Sequence, residues 1–245
     1  MQLTDPGWLE SVARLLEDGG IDLGAWGLAW ARVAPVVAIV PAFGLRALSG
    51  PTRAAAALVL AAVIVPSLRP AVAGPGPIPL LLLLEALRGT VVAVSAAIPL
   101  FAATMAGGVI DALRGSQDLL DVPTIEGRAT PLGILFSLLA ATIFLGTGGP
   151  ARVVAALSMA PSGIGDGLTR VALDLAAGIG IAVAIAAPLI AASIVLEIAG
   201  ALVARAASPA HLHAFLAPIR SLALLTLTAL LLNRIAAFIG VLVRR

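Results

Sequence analysis

The sequence predicts an all-α, polytopic membrane protein of about six hydrophobic helical segments, several of them kinked by proline. Three observations carry this. Of the 245 residues, 60% are hydrophobic and 11% are charged, whereas a soluble domain carries about 25% charged residues. The mean hydropathy is +1.11, so the chain cannot cover a globule with a wetted surface, and lipid is the solvent that suits it. Six apolar stretches follow one another with short connections, and a helix needs roughly 20 apolar residues to cross a ~30 Å hydrocarbon core.

The first stretch runs roughly from Leu23 to Phe43 and contains Arg32. The second, roughly Ala54 to Leu68, is short for a span. The third, roughly Ile78 to Ile110, holds Glu85 and Arg88 near its start. The fourth covers roughly Pro131 to Gly149. The fifth, roughly Val171 to Val203, carries Asp174 and Glu197 near its ends. The sixth covers roughly Leu216 to Val243, with Asn233 and Arg234 inside. AGPGPIP marks a turn between the second and third. The longest polar connection, DALRGSQDLLDVPTIEGRATP, joins the third and fourth. No stretch is left for a separate soluble domain, so residues 1–245 read as one integral-membrane domain.

Alanine and glycine are abundant, and they let helix backbones approach closely where the hydrophobic effect no longer drives association. Every basic residue is Arg, and the net charge is +2. The arginines are scattered singly with no basic stripe and no interleaved aromatics, which excludes a nucleic-acid surface. They also divide almost evenly between the two sides of a six-span arrangement, so the positive-inside rule assigns neither face to the cytoplasm. The absence of Cys removes disulfides, cysteine zinc sites and thiol catalysis. The acidic, amphipathic N-terminus, MQLTDPGWLESVARLLEDGG, lacks the basic region and apolar core of a cleavable signal peptide.

Pro35, Pro41, Pro66, Pro99 and Pro188 lie within apolar stretches. Each removes a backbone donor and tends to kink its helix, and the freed carbonyls need partners in neighbouring helices. So many of them suit helices that pack in an assembly. A faint echo links IPLFAATMAG around Pro99 with APLIAASIV around Pro188. Such repeats occur in duplicated membrane proteins, and chance similarity is equally at home in a chain rich in Ala and Leu.

A charge at mid-bilayer costs about 2.5–3.5 kcal/mol on insertion scales, so Arg32, Glu85, Arg88, Glu197 and Arg234 need an explanation. Glu85 and Arg88 share a helix face at i,i+3 and can pair with each other. Arg234 can snorkel toward the C-terminal end, near Arg244 and Arg245. Arg32 and Glu197 each need a partner in another helix or subunit, and pairing with one another is one option.

No catalytic constellation is present. His211 and His213 flank Leu212 in a connection, with no carboxylate or Cys at ligand spacing, and read as solvated. PSGIGDG, 161–167, lacks the Lys-Ser/Thr of a phosphate loop and reads as a turn before the fifth segment. No cofactor or metal is expected.

Three blocks carry a family resemblance. The first, residues 31–66, places Arg32, Pro35, Pro41, Phe43, Gly44, Pro51, Arg53 and Pro66 around P-x-F-G. The second, residues 106–149, contains AG-x-x-ID-x-x-RG, then PLG and a GG pair. The third, residues 185–225, places Pro188, Glu197, Gly200, Arg205, Pro209, Phe215, Pro218 and Arg220 in an A-P, L-x-E-x-x-x-G, R-x-x-P, P-I-R series. In this order they resemble the FliR/SctT family of type III secretion export-gate subunits, with ID-x-x-RG and PLG closer to the injectisome branch. The sequence departs from the family pattern at Asp121-Val122-Pro123, where the family has Asp-Pro, at Leu119 and Leu120, often aromatic there, and in SMAPSGIG, which lacks the aromatics common before the fifth span.

The resemblance implies a non-enzymatic, multi-pass protein of the bacterial inner membrane. It implies assembly with FliP/SctR-like, FliQ/SctS-like and FlhB/SctU-like subunits into a hetero-oligomeric gate that passes unfolded protein substrates. The rival reading is a secondary transporter of a small solute or ion, suggested by intramembrane charges, broken helices and the faint repeat. The resemblance also places the 111–131 connection in the gate, with Asp111, Leu113, Arg114, Gly115, Leu119, Leu120, Asp121 and Pro123 as its candidate residues. Leu113, Leu119, Leu120, Val122 and Ile125 are apolar residues that need a dry partner, and Gly115, Pro123 and Gly127 permit sharp turns without regular structure. The plainer alternative is a connector whose leucines rest on neighbouring helices.

Overall fold

A computed structural model describes residues 21–43, 49–72, 77–116, 118–121, 128–159, 164–206 and 213–244, with 11, 15, 18 and 19 before them. Among the described residues the fold is all-α apart from one short strand pair. Four of the described helices are long and apolar enough to cross a membrane, or five if one bent pair counts as a single span.

Helix α1 covers Leu23–Ile39. It starts where the Asp22 side chain accepts the Ala25 N–H at 3.0 Å, an N-cap. It stops four residues before the expected Phe43, because Pro41 disfavours helical geometry at Val40, which is extended. Pro41–Phe43 form a 3-10 turn instead. At 17 residues α1 falls short of the four long apolar helices. The sequence had assigned the short span to the second segment, whose helix α2 covers Gly50–Val72 and is 23 residues long. The extra first turn follows from Ser49, whose carbonyl accepts the Arg53 N–H, and from Pro51, whose missing N–H costs nothing there.

Helix α3 covers Ile78–Leu113. Strands β1, Leu120–Asp121, and β2, Arg128–Ala129, pair antiparallel with Leu120 opposite Ala129. The connection after α3 is therefore not free of regular structure, as its glycines and proline had suggested. Helix α4 covers Pro131–Gly146 and α5 covers Gly149–Ser158. The sequence had ended its fourth segment at Gly149. The chain instead turns and resumes as helix. Gly148 makes the turn at φ +75°, a conformation favouring glycine. A Cβ on Gly149 would meet the Phe144 ring and carbonyl at 2.6 Å. Helix α6 covers Ile164–Ala206, so residues 164–167 of the expected turn lie in its first turn. Helix α7 covers His213–Arg244 and begins at a histidine that the sequence had left in the connection.

The described residues fall into two compact units, each drawn from distant segments. One lies within Met1–Val40, Leu48–Val94 and Ala151–Thr169. Its core combines Leu28, Val33 and Val36 of α1 with Ala57, Ala61, Ile64 and Leu68 of α2, spaced i, i+4, i+7, i+11 on one face. The other lies within Pro41–Ala47, Ser95–Pro150 and Arg170–Arg245. It buries Leu100 and Ile110 of α3, Phe136 and Ala140 of α4, Leu189 of α6, and Leu224 and Ile239 of α7.

Candidate functional site

In the first unit, three charges meet where α1 crosses α3. Arg32 is 5% exposed and Glu85 3%. The Arg32 Nε donates to Glu85 Oε2 at 2.5 Å, and its Nη2 approaches the same oxygen. The Arg88 Nη1 donates to Glu85 Oε1 at 2.5 Å, one turn along α3. One carboxylate thus receives two guanidinium groups. The remaining Arg32 nitrogen, Nη1, donates to the Leu157 carbonyl at 2.8 Å. That carbonyl lies in the last turn of α5, where backbone acceptors lack helical partners and a cation is favoured. Gly89 lets this happen: a Cβ there would collide with the Arg32 carbonyl. Arg32 therefore pairs with Glu85 and not with Glu197, the option left open by the sequence.

In the second unit, Glu197 of α6 pairs with Arg220 of α7. Arg220 Nη1 lies 2.6 Å from Glu197 Oε1, and its Nη2 donates to Ser193 Oγ at 2.9 Å. Ser193 is buried, while the Glu197 side chain is 56% exposed. The sequence marks Arg220 only through the third block, and it lies two turns inside α7. Arg234 is exposed on α7, its guanidinium 5.9 Å from the Phe238 ring centroid.

The candidate connection begins inside α3, since Asp111 and Leu113 are helical. Asp111 is wholly buried, and its Oδ2 accepts the Leu132 N–H at 2.7 Å. Its Oδ1 lies 3.4 Å from Arg114 Nη1. Thr130 caps the same α4 terminus by accepting the Gly133 N–H at 3.4 Å. Gly115 turns the chain at φ +76°. Two glycines keep α3 and α4 close: a Cβ on Gly107 would collide with the Leu132 carbonyl, and one on Gly133 would lie 3.1 Å from the Thr104 carbonyl. The ID-x-x-RG and PLG motifs are thus two halves of one contact. Leu119 and Leu120 are 56% and 46% exposed. Asp121 pairs through its backbone with Arg128. Pro123, Val122, Ile125 and Gly127 lie outside the described residues, as does His211.

A model of the family described as bacterial export proteins, family 1, matches residues 23–245. The chain belongs to this family. No curated protein matches it as a relative. Family 1 is the FliR/SctT family, so this is a multi-pass protein of the bacterial inner membrane and a membrane component of the type III or flagellar export apparatus. It associates with other membrane subunits of that apparatus, and the family is not a known enzyme family. In this FliR/SctT-family protein, the ion pairs on α1, α3, α6 and α7 join helices to one another, and the Asp111 contact fixes the stem of the 116–128 connection.

Proposed function

We propose that the chain is a structural subunit of a type III export gate of the injectisome branch, with residues 1–245 acting as one membrane domain. It helps form the conduit for unfolded proteins across the inner membrane, together with FliP/SctR-like, FliQ/SctS-like and FlhB/SctU-like subunits. The observation that supports this most is the length of its apolar helices. Helices α3, α6 and α7 have 36, 43 and 32 residues, about 54, 64 and 48 Å at 1.5 Å per residue. A hydrocarbon core takes up about 30 Å. In each, a third or less of the most apolar window is buried within the chain. The surplus of uncovered apolar surface calls for protein neighbours.

The hairpin between α3 and α4 suits the gate itself. It holds Leu119 and Leu120 outward on a stem anchored by Asp111, and apolar constrictions close pores by dewetting. Secondary transport of a solute or ion is the weaker reading. The charges at Arg32, Glu85, Arg88, Glu197 and Arg220 pair among themselves. A cavity between α4 and α7 is lined mainly by apolar and small residues.

The test is to delete the gene for this chain, measure protein secretion, and purify a tagged copy from cells that express the other export-apparatus subunits. Loss of secretion, restored by the tagged copy, with co-purification of those subunits is the expected result. Unimpaired secretion together with a monodisperse chain that retains none of them overturns the proposal.

A further inference from the structure

The geometry points to a docking groove at the C-terminal ends of α4 and α7 that seats a transmembrane helix of another export-gate subunit, one presenting an Asp or Glu carboxylate to Arg234. This rests on the export-gate reading above and names one contact within it.

The groove encloses about 470 Å³. Gly146, Ala236, Ala237 and Gly240 form a floor of small residues, with Ile143 and Val241 beside them. A Cβ added to Gly146 or Gly240 would meet nothing within 4 Å, so the space over the floor is open. Small residues in such a position let a second helix backbone approach closely, which is how helices associate in lipid. Along α7, the groove borders an exposed stripe of Leu230, Arg234, Ala237 and Val241. Their spacing of i, i+4, i+7, i+11 puts them on one helix face.

Arg234 supplies the charge complementarity. Twelve uncharged residues, 221–232, precede Asn233, and nine apolar residues, 235–243, follow before the next charge. The latter measure about 14 Å along a helix, a long reach for the snorkelling that the sequence leaves open. Among the described residues no carboxylate pairs with Arg234, whose guanidinium lies over the Phe238 ring. A ring face attracts the cation and leaves its five N–H donors unmet. A carboxylate matches that planar fork in a bidentate way. A helix that fills the groove passes Arg234 one turn from Ala237, where such a carboxylate completes the pair.

The test uses the full chain co-expressed with the membrane subunits of its export apparatus. Ala237 and Val241 are replaced in turn by a photo-crosslinking amino acid, and the products are identified by mass spectrometry. Crosslinks to one helix of another subunit, carrying Asp or Glu near the crosslinked site, are expected. Arg234→Glu should lower their yield at least about tenfold, consistent with loss of a desolvated charge pair. Exchanging the partner's carboxylate for Arg should restore it. Gly240→Leu, which fills the groove, should abolish the crosslink, while Gly180→Leu, at an open position of α6, should not. Crosslinks to lipid alone, to a second copy of this chain, or to a helix without a carboxylate overturn the proposal, as does an undiminished yield in Arg234→Glu. If the subunits co-purify and secretion continues without these crosslinks, the docking site fails alone. If no subunit co-purifies with the unaltered chain, the export-gate reading fails with it.

Discussion

Asp111 and Leu132, 21 residues apart, are joined by a 2.7 Å hydrogen bond from the Leu132 N–H to a carboxylate with no solvent exposure. The carboxylate does at long range what an N-cap does locally, and its charge suits the positive end of α4. Asp111→Ala should lower stability by about 1–2 kcal/mol and speed amide exchange in the first turn of α4. Asp111→Asn keeps an acceptor for Leu132 and should lose less. Hydrogen-exchange mass spectrometry of peptides covering residues 128–140 reads the difference. Equal protection in all three proteins would remove the role assigned to Asp111.

The glycines divide into two classes that ordinary sequence scales treat alike. Gly89 and Gly107 sit against backbone of another helix, so a methyl group there must push helices apart, at a cost of about 1–3 kcal/mol. Gly180 and Gly165 on α6 face open space. Alanine there removes backbone freedom from the unfolded chain and should stabilise by about 0.4–1 kcal/mol. Thermal unfolding of Gly89→Ala, Gly107→Ala and Gly180→Ala in one detergent tests the ranking, and a Gly89→Ala protein as stable as Gly180→Ala would contradict it.

Glu85 is the shared acceptor of its cluster, so its loss should be worse than the loss of either arginine. Glu85→Ala leaves Arg32 buried with only the Leu157 carbonyl, and breaking a buried pair this way costs about 3–5 kcal/mol. Arg88 is partly exposed, and Arg88→Ala should cost less than about 1 kcal/mol. Replacing Arg32 and Glu85 together by Leu should recover part of the Glu85→Ala loss, because no unpaired charge remains. Melting curves of these three variants and of Arg32→Ala decide this. A double variant less stable than Glu85→Ala would show that the pair does more than satisfy its own charges.

Exposed leucines on the hairpin give the gate proposal its own measurement. Replacing Leu119 and Leu120 with Ser wets this apolar pair and should raise ion conductance through the assembled complex across a bilayer. Unchanged conductance in an intact complex would favour the plain connector.

The helices were largely legible, because a run of apolar residues long enough to cross a membrane has few other solutions. Their ends were less so. The break at Gly148 looked like a terminus in TGGP because a glycine turn reads the same whether helix resumes or not. The strand pair at Leu120 and Ala129 is two residues long, too short for an alternating pattern to show. The need of Arg32 for a partner was legible, whereas the choice of Glu85 over Glu197 depends on where α1 crosses α3. Gly89, one turn after Glu85, marks that crossing. The Asp111–Leu132 bond joins two motifs that read separately as loop borders. Arg234 stood out as costly from sequence, and the groove beside it appears only when α4 and α7 are brought together.

Arg32 bonds to a carbonyl made 125 residues after it and to a carboxylate made 53 residues after it. At about 5–20 residues per second of synthesis, Glu85 follows Arg32 within roughly 3–11 s, and Leu157 within roughly 6–25 s. The cell therefore makes this site in a set order: the cation first, its counter-charge next, and the end of α5 last. Until Glu85 arrives, the growing chain carries an unmatched arginine in an apolar helix. This is a window in which the insertion machinery, rather than the finished fold, must shield it.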